Sequence, residues 1–418
     1  MYNNCTIVPV IVPNWYKYQY HHVRWKMEEQ DNNYCSMTDK KSHDEWFVER
    51  MPKLELHAHL NGCIRPSTLV ELSQGNVDFP ESRTLEGCFQ LFDALKTYVN
   101  SLSIVRRLTW EALQDFADQN VAYVELRSTP KNFSNQNHCK SNKRQYIQTI
   151  LDVMAEFELK ESKDQEHNKK HRFPLIPRYI VSIDRSGSLQ DALEHVQLAI
   201  EFHKSSKYIV GVELSGNPTK NDFNSFEPAF HLARQSALSV SLHCGEIPCQ
   251  QTASNGKGEI SKKAFDEAKS IINFAPDRLG HAIFLPDSVW EKIYKNKEKQ
   301  IPIECCPTSN VLTTSHGIIE TNENLTAMCL KKQHEQLSSW IEQAYPFSIN
   351  TDDPGIFDTN STKEYRILMK AFKLSTSDLT KIVIQSIDHI FDIPETKLKL
   401  KSAFQAQISF LQNSTLCS

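Results

Sequence analysis

The sequence predicts an α/β fold, a (β/α)8 TIM barrel with further helices at its C-terminal end. Two observations predict it. From Trp46 onward, short β-rich runs alternate with amphipathic helical stretches, the order that builds βαβ units and a parallel sheet. The β-rich runs number eight, and eight parallel strands close naturally into a barrel. The roughly 370 residues that carry the pattern suit such a barrel with insertions, since about 250 are typical of the fold.

The strands are expected at Lys53–His59, Val121–Arg127, Arg178–Asp184, Ile209–Leu214, Ser239–His243, Arg278–Ile283, Ile301–Glu304 and Phe347–Asn350. Between them Leu102–Asn120, Leu189–His203, Phe226–Ala237 and Lys262–Phe274 have the amphipathic pattern of helices. A dense charge run, Lys160–Arg172, follows the helix expected around Tyr146–Leu159 and reads as a solvated helix end and loop. Lys363–Leu411 reads as helices that close the fold. Residues 1–46 are rich in Tyr, Asn, His and Lys, with little periodicity. They read as a poorly ordered N-terminal extension, and residues 47–418 as a single domain.

Composition excludes several classes. The chain is 39% hydrophobic and 23% charged, with a net charge of −4. That is globular composition, without the basic balance expected of a nucleic-acid protein. No apolar run approaches the ~20 residues of a membrane span. The eleven cysteines are odd in number, lack a CxxC pair and include the adjacent Cys305 and Cys306. Free thiols in a reducing compartment fit this better than a disulfide framework. The expected location is the cytosol and the expected state a monomer.

Four strand ends carry residues suited to chemistry. In LELHAHLNG, alternation along the strand puts His57 and His59 on one face, and Asn61-Gly62 marks the strand's end. In SVSLHCGEI, a strand ends in His243 and Glu246 follows in the turn. In DRLGHAIF, His281 stands at a strand end. In PFSINTDDPG, Asp352 and Asp353 follow the last strand. Each has a bland reading when taken alone: surface histidines, a core histidine, or a turn. Together they put His or Asp at the ends of strands one, five, six and eight, at the mouth where barrel enzymes place their sites. Three imidazoles and one carboxylate suit zinc with a place for water, and also suit Fe, Mn or Co.

The strings MPKLELHAHLNG, VELRSTPK, VELSGNP, HCGE, RLGHA and NTDDP, in this order, resemble the adenosine/AMP deaminase family of metal-dependent barrel hydrolases. HLNG, ELRSTP and LSGNP are most similar to its adenosine deaminase-like subgroup, which acts on N6-methyl-AMP. The resemblance implies one zinc per subunit, held by His57, His59, His243 and Asp352. It implies that Glu246 donates a proton to purine N1 and that His281 orients and helps deprotonate the attacking water. It places Asp353 at N7, Gly216 at N3 and Asp184 in contact with substrate. The implied reaction removes the 6-amino or 6-alkylamino group of a purine. The expected partner is a small purine nucleotide, without nucleic acid or membrane.

Whether that purine carries a phosphate is read from two places. Nucleoside deaminases of this family have an aspartate two residues after the second histidine, where this chain has Asn61. An amide does not repel a 5′-phosphate and can donate to it. The loop Ser128-Thr129-Pro130-Lys131 offers two hydroxyls and a cation to a phosphate. Lys96 stands where the subgroup usually has histidine, which keeps positive charge there. Lys131 replaces an arginine and gives up bidentate geometry. The expected substrate is therefore N6-methyl-AMP or another N6-substituted AMP. A plain adenosine deaminase and a catalytically silent metal- or nucleotide-binding barrel remain as other readings.

Overall fold

A computed structural model describes residues 42–77, 84–134, 140–166, 173–246, 250–251, 259–260, 262–296, 300–314 and 322–414. Eight parallel strands form one sheet: β1 Lys53–His59, β2 Val121–Ser128, β3 Ile176–Asp184, β4 Ile209–Ser215, β5 Ser239–Cys244, β6 Arg278–His281, β7 Ile303–Cys305 and β8 Phe347–Ile349. They pair in sequence order, each with the next. A parallel bridge between Ala58 and Asp352 brings the end of the last strand to the first. There His59 N–H donates to Asp352 O and Asp352 N–H to His57 O, both at 2.9 Å. The (β/α)8 barrel expected from the sequence is the fold observed.

Alternation along the strands decides what fills the barrel. One face of each strand is apolar and packs under the surrounding helices, as Leu54, Leu56 and Ala58 do on β1. The other face is unusually polar: Glu55, Glu125, Arg127, Glu213, Ser241, Arg278, Glu304 and Asn350 are all buried. Such groups are tolerable in a core only when paired, and these are. Arg127 Nη1 donates to Glu213 at 2.6 Å and to Glu304 at 3.0 Å. Arg278 Nε donates to Glu304 at 2.6 Å, and the Arg278 guanidinium also pairs with Glu125. Below this layer the chain returns as a plug: Phe391 N–H donates to Glu125 at 2.6 Å, and the Arg278 guanidinium lies 3.5 Å from the Phe391 ring centroid.

The first described helix, His43–Arg50, starts inside the segment assigned to the extension. Ser42 and Glu45 form a capping box, and Phe47 and Val48 are buried. The rest of that extension, residues 1–41, lies outside the described residues. The helix Lys143–Glu166 continues well into the charge run, whose remainder, 167–172, is also outside them. The sixth strand ends at His281, two residues earlier than expected, because His281 and Ala282 take left-handed φ values of 61° and 55° that turn the chain out of the sheet. Helices Ser361–Phe372, Thr376–Ser386 and Pro394–Ser414 close the fold.

Candidate active site

The side chains singled out at the strand ends meet at one mouth of the barrel. His59 Nε2 is 3.2 Å from His243 Nε2 and 3.4 Å from Asp352 Oδ1, and His57 Nε2 is 3.3 Å from the same oxygen. Donor atoms about 2.0–2.1 Å from a tetrahedral centre stand about 3.3–3.4 Å apart, so a metal ion could bridge these atoms. His57 Nδ1 pairs with Glu304 Oε2 at 2.6 Å and its Nε2 faces Asp352 at 3.3 Å. Burial and Arg127 oppose its charge, but Asp352 and Glu304 raise the imidazole to about 9, so a metal at Nε2 would have to displace a proton there. That buried Nε2 makes no hydrogen bond among the described residues. His59 Nδ1 and His243 Nδ1 face Glu213 at 3.7 and 3.6 Å. Burial pushes the His59 imidazole down to about 4 and holds His243 well below its ordinary value, so both present neutral nitrogen. Burial opposes the Asp352 charge, but the neighbouring imidazoles, His57 first, hold it well below the usual carboxylate range.

His281 adjoins this group: donor atoms of His57, His243, His281 and Asp352 lie within 4.8 Å of one another, as do those of His59, Glu213 and His243. His281 Nε2 is 4.0 Å from Asp352 Oδ2 and 3.9 Å from Glu246 Oε1. Its Nδ1 meets Asn310 Oδ1 at 3.0 Å, which fixes the proton on Nδ1 and leaves Nε2 able to accept one. That Nε2 is buried and makes no hydrogen bond among the described residues. His281 and Asp352 both adopt positive φ, 61° and 62°. Strain of this kind, of order 1–3 kcal/mol per residue, collects at functional sites. Burial raises the Glu246 carboxyl above its ordinary value, with His281 opposing. That direction favours the protonated, proton-donating form.

Glycines make the close approaches possible. A Cβ on Gly62 would fall 1.7 Å from Asp353 Oδ1, and one on Gly280 3.0 Å from His57 Cε1. Gly216 has φ +91° and leaves room for Asp184, whose Oδ1 would lie 2.6 Å from an added Cβ. Asp353 is buried with Oδ1 unpaired among the described residues, and burial together with Asp352 pushes its carboxyl well up.

A cavity of about 200 Å³ opens above the cluster. Of the residues expected from the sequence, His59, Asn61, Lys96, Ser128, Thr129, Lys131, Asp184, Gly216, His243, Glu246, Asp352 and Asp353 line it. His57 and His281 are buried beneath, and Pro130 is buried and does not line the cavity. Asn61 Oδ1 is buried and unpaired among the described residues. Burial and the neighbouring Lys96 cation lower Lys131 to about 8. Two cations are thus held close together, a place that favours an anion. Lys96 also pairs with Asp93 at 2.6 Å.

Sequence reasoning missed two groups. Glu213 and Glu304, which orient the histidines, sit in apolar strands as isolated acids, and that mismatch was the available signal. Cys88, Phe89 and Phe92 reach the cavity from helix Leu85–Tyr98, whose Thr84 cap and apolar spacing were legible.

An eight-stranded parallel barrel with a histidine–aspartate cluster, a buried acid and a buried imidazole at its mouth defines a metal-assisted hydrolase. Similarity narrows the class. The adenosine deaminase family model matches residues 52–407, and the chain belongs to the adenosine deaminase family, whose members are hydrolytic deaminases. It is 32% identical to the N6-mAMP deaminase of Arabidopsis thaliana, over 87% of this chain and 98% of that protein. It is 32% identical to the N6-methyl-AMP deaminase of Bos taurus, over 85% and 94%. The crystal structure of Arabidopsis ADAL complexed with IMP superposes with a TM-score of 0.70 at 30% identity, covering 87% of this chain and 99% of that one.

Proposed function

We propose that this protein hydrolyses N6-methyl-AMP, or another N6-substituted AMP, to IMP and the free amine. His57, His59, His243 and Asp352 would hold one zinc ion. Zinc in such a donor set supplies Lewis acidity, which brings the pKa of water to about 7. The remaining work falls to the protein. His281 Nε2 accepts the water proton as the oxygen adds to C6. Glu246 gives its proton to N1, so the ring takes up the electron pair. His281 then gives the proton it took to N6, the C6 hydroxyl returns one to Glu246, the C6–N6 bond breaks and methylamine leaves, with the 6-oxopurine protonated at N1. Asp353 holds N7, the backbone at Gly216 lies against N3, and Asp184 completes the pocket.

The observation that carries the nucleotide reading is the polar lining of the cavity. Lys96, Lys131, Asn61, Ser128 and Thr129 line it, Lys131 near enough to Lys96 to feel its charge, with no carboxylate at position 61. The Arabidopsis and cattle relatives carry the name of the same activity. The test compares kcat/KM for N6-methyl-AMP, AMP and adenosine, with methylamine and ammonia as readouts. N6-methyl-AMP should lead, with methylamine released in step with IMP. Faster turnover of unphosphorylated adenosine would overturn the nucleotide reading.

A further inference from the structure

Around the mouth of the barrel, the residues assigned to the purine follow one another as the ring's own positions do. Gly216 follows β4 and lies against N3, Glu246 follows β5 and serves N1, His281 ends β6 and acts at C6, and Asp353 follows β8 and holds N7. The perimeter of a purine runs N3, C2, N1, C6, C5, N7. The 6-amino nitrogen projects from it between N1 and N7. It therefore points into the arc between β5 and β8, where β7 is the strand with no substrate contact yet assigned.

β7 runs into the helix Pro307–Thr314. The first turn of that helix is tied to the reacting centre. Ser309 Oγ donates to Asp352 Oδ2 at 2.7 Å, and Asn310 Oδ1 meets His281 Nδ1 at 3.0 Å. Thr313 comes four residues after Ser309 and three after Asn310, so it stands on the same helix face one turn further out. Ser309 and Asn310 are buried, whereas Thr313 is half-buried and lines the cavity. Between Glu246 and Asp352 in the chain, it is the only described residue that does. Its hydroxyl donates to the Ser309 carbonyl at 2.8 Å, the back-bond of a threonine within a helix. A hydroxyl has one proton, so Thr313 has none left to donate to a substrate. What it presents is bulk, a branched side chain whose rotamer that bond pins.

We propose that Thr313 is a specificity-determining residue, whose side chain bounds the space taken by the substituent on N6 and so sets how large an N6-alkyl group the enzyme accepts. A wall that donates no hydrogen bond suits an alkyl group, and its fixed place one turn from the His281 contact limits that group's length. The inference rests on the ring assignments of the proposed function.

The test measures kcat/KM for AMP, N6-methyl-AMP and N6-ethyl-AMP with the full chain, in the parent and in Thr313→Ala and Thr313→Leu. Zinc content and thermal melting report that each variant folds. Ratios between substrates cancel any general loss of activity. Thr313→Ala should raise the ratio of N6-ethyl-AMP to N6-methyl-AMP roughly ten-fold, the low end of what one methylene is worth in such a pocket. Thr313→Leu should lower the ratio of N6-methyl-AMP to AMP by a similar factor. Parent-like ratios in a folded Thr313→Ala enzyme would overturn the inference whatever the leucine variant does, and equal losses on all three substrates are such a result. A parent enzyme that prefers unphosphorylated substrates would instead overturn the nucleotide reading, and the same ratios taken on the nucleosides would still decide the role of Thr313.

Discussion

At the scale of single residues, chemistry here is set by which side chains lose water and beside what. Lys131 shows this most clearly. Burial and Lys96 lower its pKa to about 8. The depressed value means that the cation is present below about pH 8 and lost above it. Capture of a phosphate should weaken over that range, whereas capture of a nucleoside has no such dependence. The ratio of kcat/KM for N6-methyl-AMP to that for N6-methyladenosine cancels every titration the two reactions share. That ratio is expected to be highest near pH 7, above the substrate phosphate's own second ionisation at about 6, and to fall as pH rises through about 8. A ratio that stays level to pH 9.5 would remove Lys131 from phosphate binding.

At the scale of elements, the site depends on how closely the loops after β1 and β8 dock. The Gly62 carbonyl stands in that contact: Gly355 N–H donates to Gly62 O at 2.8 Å, and a Cβ on Gly62 would overlap Asp353 Oδ1. Gly62→Ala should therefore push Asp353 off its position. The expected cost is about 1–3 kcal/mol of stability, as for other overpacking changes, with a clear fall in kcat/KM. Equilibrium urea unfolding and substrate kinetics check both, and parent-like values in both would sink this reading of the glycine. Much of this level was legible in the sequence. His57 and His59 could be placed on one face because a strand alternates, whatever lies around it. The turn after His281 was not legible, because nothing in Gly-His-Ala-Ile announces two left-handed residues. Only the packed neighbours impose them. Glu213 and Glu304 were missed for a related reason. Their role is defined by imidazoles on other strands, and no local spacing records that.

At the scale of the molecule, the barrel brings together what the chain keeps far apart. Its closing seam is narrow, with one bridge, Ala58 to Asp352, between the first strand and the residues after the last. The proposed ligands span that seam: His57 and His59 on one side, Asp352 on the other, with His243 from the middle of the sheet. Beneath them the layer built on Arg127, Arg278, Glu213 and Glu304 fixes the imidazoles from inside the barrel. Holding the metal and moving the proton are thus assigned to different residues of one assembly. The most direct test is the zinc content of Glu246→Gln protein, measured beside its turnover of N6-methyl-AMP. The expected result is one zinc per chain, as in the parent, with turnover lower by about 10²–10⁴-fold, the usual worth of a general acid. Turnover equal to the parent's, or loss of the zinc together with the acid, would contradict that division of labour.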